Sequence, residues 1–302
     1  MNILILAEGN SVFIPQWCDF YLKKGCEVTV LTFEKPIKQL ISIKVKLIYI
    51  KIPNGFFGKI LGLIKTFFIL RFKRYDFYHA HQFLVYGSLV YFLSLHPNII
   101  ECMGSDIGIH LNKKKNLLLG KLIFKKADFI AVKDVCAKNR LLELGCKNEK
   151  ILIRPSFVDL SNFNYVDRTF HKKIFRILFT RCFTKKYQSE NIWKLVLKIS
   201  KNKNLNIKFV FVKRDKWDQI YFQLKKRNLL KYVDFEEIKT QNRMCQLYDK
   251  SDFYLDTFFS DTNTLGHGMG SGTLEAMASG LILILPDREE YKNLCFNNNI
   301  IY

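Results

Sequence analysis

Gly266, Gly268, Gly270 and Gly272 alternate with His267, Met269 and Ser271 in a sequence of 302 residues, and Thr273 and Glu275 follow directly. This spacing lets the backbone approach a ligand closely and turn its N–H groups outward. Thr273 to Ser279 reads as two helical turns, with Leu274, Glu275, Ala276 and Met277 as good helix formers and Gly280 as the left-handed stop. A helix start behind glycines suits an anion, so the amides of Gly270, Ser271, Gly272 and Thr273 are candidates to hold phosphate. Glu275, on the first turns, is placed to accept both hydroxyls of a ribose. The pattern is neither a Walker loop nor GxGxxG, and taken alone it also fits an exposed helix glutamate behind an ordinary turn.

Other residues with chemical potential stand at the ends of predicted strands. His79 and His81 lie two apart: both imidazoles share one face if the strand continues through them, and sit on a loop if it does not. Zinc would need a third ligand and none is adjacent in the sequence, so no metal site is expected. Gly104, Ser105 and Asp106 follow a strand and read as a site, although a lone triplet of this kind also fits a turn. Gly9 and Asn10 lie in the loop 7–11 after the first strand. The eight cysteines are scattered, without a CxxC pair or paired Cys/His spacing, and read as reduced core residues of a cytoplasmic protein.

The elements that must position these residues alternate strand and helix. Asn2 to Leu6, Glu27 to Phe33, Ile43 to Ile52, Asp76 to Ala80, Asn98 to Cys102, Asp128 to Val132 and Ile151 to Ile153 are predicted strands. Helices are predicted over Val12 to Lys24, Phe56 to Arg74, Leu84 to Leu95 and Lys133 to Leu144. Residues 160–173 are polar and aromatic and read as a linker. A second series of strands follows at Ile174 to Thr180, Ile207 to Val212, Val233 to Phe235, Phe253 to Leu255 and Leu281 to Leu285. The expectation is an α/β protein of two doubly wound parallel-sheet domains, residues 1–163 and 164–302, facing each other across a cleft.

The formal net charge is +21 with 49% hydrophobic residues, which excludes a disordered chain and favours polyanionic partners. Compositional bias toward Lys, Asn, Ile and Phe accounts for part of that charge. Phe56 to Arg74 is apolar, with basic residues at 59, 65, 71, 73 and 74. Phe, Leu and Ile on one side and Lys or Arg on the other would make an interfacial helix on anionic lipid; a helix packed on the sheet with snorkelling lysines is the competing reading. Lys113 to Lys126 repeats the character. No motif for base or strand recognition is present, and nucleic acid is not an expected partner. The N-terminus lacks the features of a secretory signal, and no stretch is long and apolar enough to span a bilayer.

NILILAEGNS with Trp17 and KKGCEVTVLTF, HAHQFLVYGSL with ECMGSDIG, KKADFIAV with KILIRPSFVDLSNF, and GSGTLEAMASG occur in an order that resembles the nucleotide-sugar glycosyltransferases of the two-Rossmann-domain type (GT-B), in particular the large retaining family 4 group. The last block is similar to that group's E-x7-E signature, with the second glutamate on Glu275. The resemblance implies a donor-phosphate pair on Arg181 and Lys186, with Lys185 as a competitor, that neutralises a diphosphate leaving group without metal or cofactor. Gly9, Asn10, His81 and Ser105 fall on its acceptor side, and Asp106 and His267 are the candidate catalytic residues. His267 stands where the group has an acid that contacts the sugar, and Met103 where many members have histidine.

Members also run on through further helices beyond the position of Tyr302, which implies an incomplete second domain. The function implied is transfer of a sugar, with retention, from a nucleotide-sugar to a glycan or lipid-linked acceptor in cell-surface polysaccharide synthesis, at the inner face of the membrane. A non-catalytic nucleotide-sugar or lipid binder is the alternative.

Overall fold

A computed structural model of the chain describes residues 1–302 apart from 10, 12, 36–43, 53–54, 157, 159, 161–162, 169–173, 185–188, 203–204, 238–240, 257–269, 286–299 and 302. The chain divides after Pro155 into two compact units, ahead of the boundary at 163 expected from the sequence. Phe163 is buried in the core of the second unit, against Leu178 and Tyr248. The Arg168 guanidinium donates to the carbonyls of Tyr248, Asp249 and Ser279 at 3.1, 2.6 and 2.8 Å. Both residues come from the predicted linker, so that stretch is built into the second unit.

In the first unit the strands are β1 (Asn2–Leu6), β2 (Glu27–Thr32), β3 (Lys46–Tyr49), β4 (Phe77–His81), β5 (Asn98–Glu101), β6 (Phe129–Val132) and β7 (Ile151–Ile153). They form a parallel sheet in the order β3-β2-β1-β4-β5-β6-β7. The helices are α1 (Phe13–Lys23), α2 (Phe56–Arg71), α3 (Gly87–Leu93), α4 (Ser105–Gly108), α5 (Lys114–Lys126) and α6 (Val135–Glu143). Alternation along β1 divides the core between the two faces. Ile3 and Ile5 pack with Val28, Val30 and the α1 residues Ile14 and Cys18, whereas Leu4 and Leu6 join Ile100, Ile130, Val90, Ile123 and Leu141.

Helix α2 packs Leu63, Ile69 and Leu70 on the core but turns much of its large apolar surface outward. It buries Gly58, Gly62, Thr66 and Leu70, which recur every four residues along one seam, and leaves Phe57, Ile60, Leu61, Ile64, Phe67 and Phe68 exposed. A Cβ on Gly62 would lie 2.7 Å from Ile52 Cγ2, so the seam approaches its neighbour closely. Lys65 and Arg71 are exposed as well. The outward face is therefore mixed apolar and basic, in place of the two-sided division expected. Helix α5 buries Gly120, Ile123 and Phe124 and keeps Lys114, Lys115, Lys121, Lys125 and Lys126 exposed, as an ordinary surface helix does. Among the described residues no helix is long and apolar enough to cross a membrane.

In the second unit β8 (Phe175–Phe179), β9 (Ile207–Val212), β10 (Val233–Glu236), β11 (Phe253–Leu255), β12 (Ile282–Ile284) and β13 (Ile300–Ile301) make a sheet in the order β10-β9-β8-β11-β12-β13. All of its pairings are parallel. Its helices are α7 (Ile192–Ser200), α8 (Trp217–Lys226), α9 (Gln241–Lys250) and α10 (Ser271–Ala278). The last ends as predicted: Gly280 has φ +78°, a left-handed turn. Strand β13 was not foreseen. In each sheet the strand order reverses beside the first strand, between β1 and β4 and between β8 and β11. Open α/β sheets bind ligands at that point, outside the carboxyl ends of the strands.

Candidate functional site

In the second unit the reversal point gathers the residues singled out around the glycine turn. Arg181 follows β8 and Asp256 follows β11, and the guanidinium meets Asp256 Oδ1 from Nη2 at 3.3 Å and from Nε at 3.4 Å. The other oxygen, Oδ2, accepts from the Thr273 hydroxyl at 2.6 Å. Asp256 and Thr273 are both buried. The start of α10 is thus tied to the arginine through one carboxylate. The glycines here sit in close contact: a Cβ on Gly270 would displace the end of the Arg181 side chain, and one on Gly272 would lie 2.6 Å from Tyr254 Oη. Ser271 opens α10 with Gly270 before it; the Thr273 amide donates to the Gly270 carbonyl at 3.0 Å, and the Ser271 and Gly272 amides are the ones without an intrahelical acceptor. A cation beside such amides can take the two charges of a diphosphate.

Glu275 is half-buried, not an exposed helix glutamate. The Tyr248 hydroxyl donates to its Oε2 at 2.8 Å, and Oε1 has no partner among the described residues. Burial raises the carboxyl above its usual range, opposed by the Tyr248 hydrogen bond and by Arg181 and Arg214. Tyr248 also donates to the Gly272 carbonyl at 3.2 Å, so one phenol fixes both the turn and the acid. An acceptor oriented through one oxygen and open at the other can receive ribose hydroxyls.

In the first unit β4 continues through His81, and both imidazoles lie on one face with ring centroids 4.6 Å apart. Glu101, in register with His81 on β5, brings Oε2 to 3.3 Å from His79 Nε2 and 3.8 Å from His81 Nε2. The third potential ligand, absent from the local sequence, is therefore supplied by the neighbouring strand. Arg154, just past β7, pairs with Glu101 Oε1 and lies 4.7 Å over the Trp17 ring. Tyr21 Oη is 3.1 Å from His79 Nδ1. Burial, and then Arg154, pushes the His79 imidazole down to about 3. His81 is held well below its usual range by burial, then by His79 and Arg154.

The remaining expected residues are placed as follows. Asp106 is buried, and its Oδ2 accepts from the amides of Phe83 at 2.9 Å and Met103 at 3.2 Å. That carboxylate oxygen braces the segment after β4 against the segment after β5. The Gly9 amide donates to the Thr32 hydroxyl at 2.9 Å and is engaged within the fold. Ser105 opens α4. Asn10, Lys186 and His267, with the competitor Lys185, lie outside the described residues. Asp256, Tyr248, Glu101 and Arg154 carry the geometry and were not picked out from the sequence. Asp256 had one available signal, its position as the acid directly after a predicted strand.

Residues 2–134 match a family model described as Glycosyl transferase 4-like. That match lies wholly within the first unit. No curated protein gives a match to the chain. Among solved structures, Anabaena Alr3699/HepE in complex with UDP and glucose superposes with a TM-score of 0.72 at 16% identity, covering 98% of this chain and 83% of that one. Sucrose-phosphate synthase from Thermosynechococcus elongatus gives 0.73 at 14% identity, covering 94% and 80%. The apo form of the lipopolysaccharide outer core galactosyltransferase WaaB gives 0.63 at 16%, covering 96% and 83%. These likenesses run through the first and second units alike. They show the fold: two Rossmann-like units of the GT-B type.

Proposed function

We propose that the chain is a glycosyltransferase that moves a sugar from a nucleotide-sugar to a glycan or lipid-linked acceptor in cell-surface polysaccharide synthesis. One observation carries the reading: Arg181, Asp256, Thr273 and Glu275 converge at the reversal point of the second sheet. The match of the first unit to glycosyl transferase 4-like proteins supports transfer as the chemistry, and the UDP and glucose bound by HepE support a nucleotide-sugar donor.

Arg181, joined by Lys186, neutralises the charge that builds on the diphosphate as the glycosidic bond breaks, so departure needs no metal. The amides of residues 270–272 hold phosphate, Thr273 fixes the turn through the Gly270 carbonyl and Asp256, and Glu275 holds the ribose. By the resemblance, His267 takes the role of the acid that contacts the sugar. The sugar is retained in configuration, with the leaving phosphate assisting deprotonation of the acceptor.

The outward face of α2 supports work at a cytoplasmic membrane surface, with aromatic and aliphatic side chains entering the interface and Lys65, Arg71 and Arg74 facing anionic headgroups. Each such cation contributes about 1 kcal/mol near an anionic leaflet.

The deciding experiment is a thermal-shift panel of nucleotide-sugars, followed by nucleoside diphosphate release with the donor that binds. Arg181→Ala with Lys186→Ala should cost diphosphate-bearing ligands far more than the free nucleoside. Absence of any shift rejects the donor site, and a shift without release in the presence of lipid-linked glycans identifies a binder that does not turn over.

A further inference from the structure

We propose that His79, His81 and Glu101 form a binding site for a borderline divalent transition-metal ion, with zinc as the fitting example. The site lies in the first unit and takes no part in the donor chemistry above. Strand geometry assembles it: His79 and His81 project from one face of β4, and register sets Glu101 of β5 beside His81. The three ligand atoms all lie within 4.8 Å of one another. Tetrahedral zinc, with bonds near 2.1 Å, spaces its ligand atoms about 3.4 Å apart. The distances from Glu101 Oε2 to the two Nε2 atoms, 3.3 and 3.8 Å, already bracket that value.

The second observation is His81 itself. It is 3% exposed, and neither Nδ1 nor Nε2 has a hydrogen-bond partner among the described residues. A buried imidazole left without partners is costly. A hydrogen-bonded pair of His79 and Glu101 accounts for His79 and leaves His81 unexplained, whereas an ion engages Nε2 of both rings and Oε2 together.

Neighbouring groups orient the set as those around metal ligands do. A proton on His79 Nδ1 can be donated to Tyr21 Oη at 3.1 Å, which leaves Nε2 with its lone pair toward Glu101. Arg154 takes Oε1 of Glu101 and leaves Oε2 facing the rings. Burial keeps both imidazoles neutral, the form that binds metal. The charge of Arg154 opposes a cation, so the affinity should be lower than for the same ligands without it.

The test uses the full chain, stripped by chelator, dialysed and titrated with zinc by calorimetry and with cobalt by visible absorption. Expected are about one ion per chain, the intense visible bands of four-coordinate cobalt with nitrogen and oxygen ligands, and a rise in Tm with zinc. His81→Ala and Glu101→Gln should each weaken binding by at least about tenfold, whereas His96→Ala, on an exposed histidine paired with Asp128, should not. Should His81→Ala fail to fold, His81→Gln takes its place, and the wild-type titration decides independently. Absence of stoichiometric binding by the wild type overturns the proposal. So does thiolate-to-cobalt charge transfer in the near ultraviolet, or binding that survives loss of both histidines.

Discussion

Thr273 and Arg181 hold opposite oxygens of the same buried carboxylate: the threonine hydroxyl donates to Asp256 Oδ2 at 2.6 Å and the guanidinium meets Oδ1 at 3.3 Å. The helix that follows the glycine turn and the cation proposed for the diphosphate are therefore positioned together. Asp256→Asn keeps an acceptor for Thr273 and removes the charge that orients Arg181. Diphosphate affinity should fall by about 1.5 to 3 kcal/mol, the scale of a charge-assisted hydrogen bond. Asp256→Ala should in addition lower stability by roughly 1 to 3 kcal/mol by leaving buried polar groups unpaired. Calorimetry with a nucleoside diphosphate and urea unfolding measure the two effects; equal diphosphate affinity in Asp256→Asn and wild type would remove the positioning role.

Glu275→Gln should separate binding from stability. Its folded pKa is raised, so the stability it contributes is full below the unfolded value of 4.5 and is lost as pH rises through the folded value. At pH 7 the ionised carboxylate is a burden on the apo fold. Glutamine can still accept from Tyr248 without that charge, and Tm of the apo protein should rise at pH 7 while nucleoside affinity drops. In the wild type, affinity for the uncharged nucleoside should weaken as pH falls through the raised value, above 4.5. The variant should lack that dependence. A wild-type profile flat down to pH 4.5 would count against ribose binding by this acid.

Two glycines in the same turn should fail differently. Gly272→Ala drives a methyl group against Tyr254 Oη, which also bonds Thr180 Oγ1 at 2.9 Å, so the cost should appear as about 1 to 3 kcal/mol of stability. Gly270→Ala meets the far end of Arg181, a long side chain that can swing aside. Its stability should change little while diphosphate binding falls. Urea unfolding and calorimetry on both variants give the comparison, and matched losses in the two would contradict it.

For the membrane face, sedimentation with anionic liposomes should bring the protein down, and the bound fraction should fall as salt rises. Replacing Lys59, Lys65, Arg71, Lys73 and Arg74 with Gln should abolish binding with little change in Tm, since the described side chains among these lie at the surface or are half-buried. Equal binding to neutral vesicles would assign the helix to some other surface.

Much of this was legible in the sequence where information is local. Strands β1, β7, β9 and β11 have the predicted bounds, because short apolar runs between turn residues specify buried parallel strands. Glu275 and its glycine turn were readable for the same reason. Glu101 and Arg154 were not, since what brings them to His79 and His81 is the lateral order of strands, which leaves no trace in spacing along the chain. Helix α2 misled in the other direction. A hydrophobicity pattern assigns large apolar residues to the interior, and here Gly58, Gly62 and Thr66 share the interior side with Leu63, Ile69 and Leu70 while six other large apolar residues face outward. The Thr66 hydroxyl, inside the seam, is satisfied by the Gly62 carbonyl at 2.7 Å, so it needs no solvent.

That inversion of α2 separates two properties that most amphipathic helices combine. The core touches the small seam with Leu63, Ile69 and Leu70, and Phe57, Ile60, Ile64 and Phe68 lie outside it, so these four can be exchanged for polar residues without opening a cavity. Purification behaviour and folding should then vary independently. The wild-type protein should self-associate or demand detergent at concentrations where a polar-faced variant stays monomeric, at an unchanged unfolding midpoint. Such a variant would be the form to crystallise.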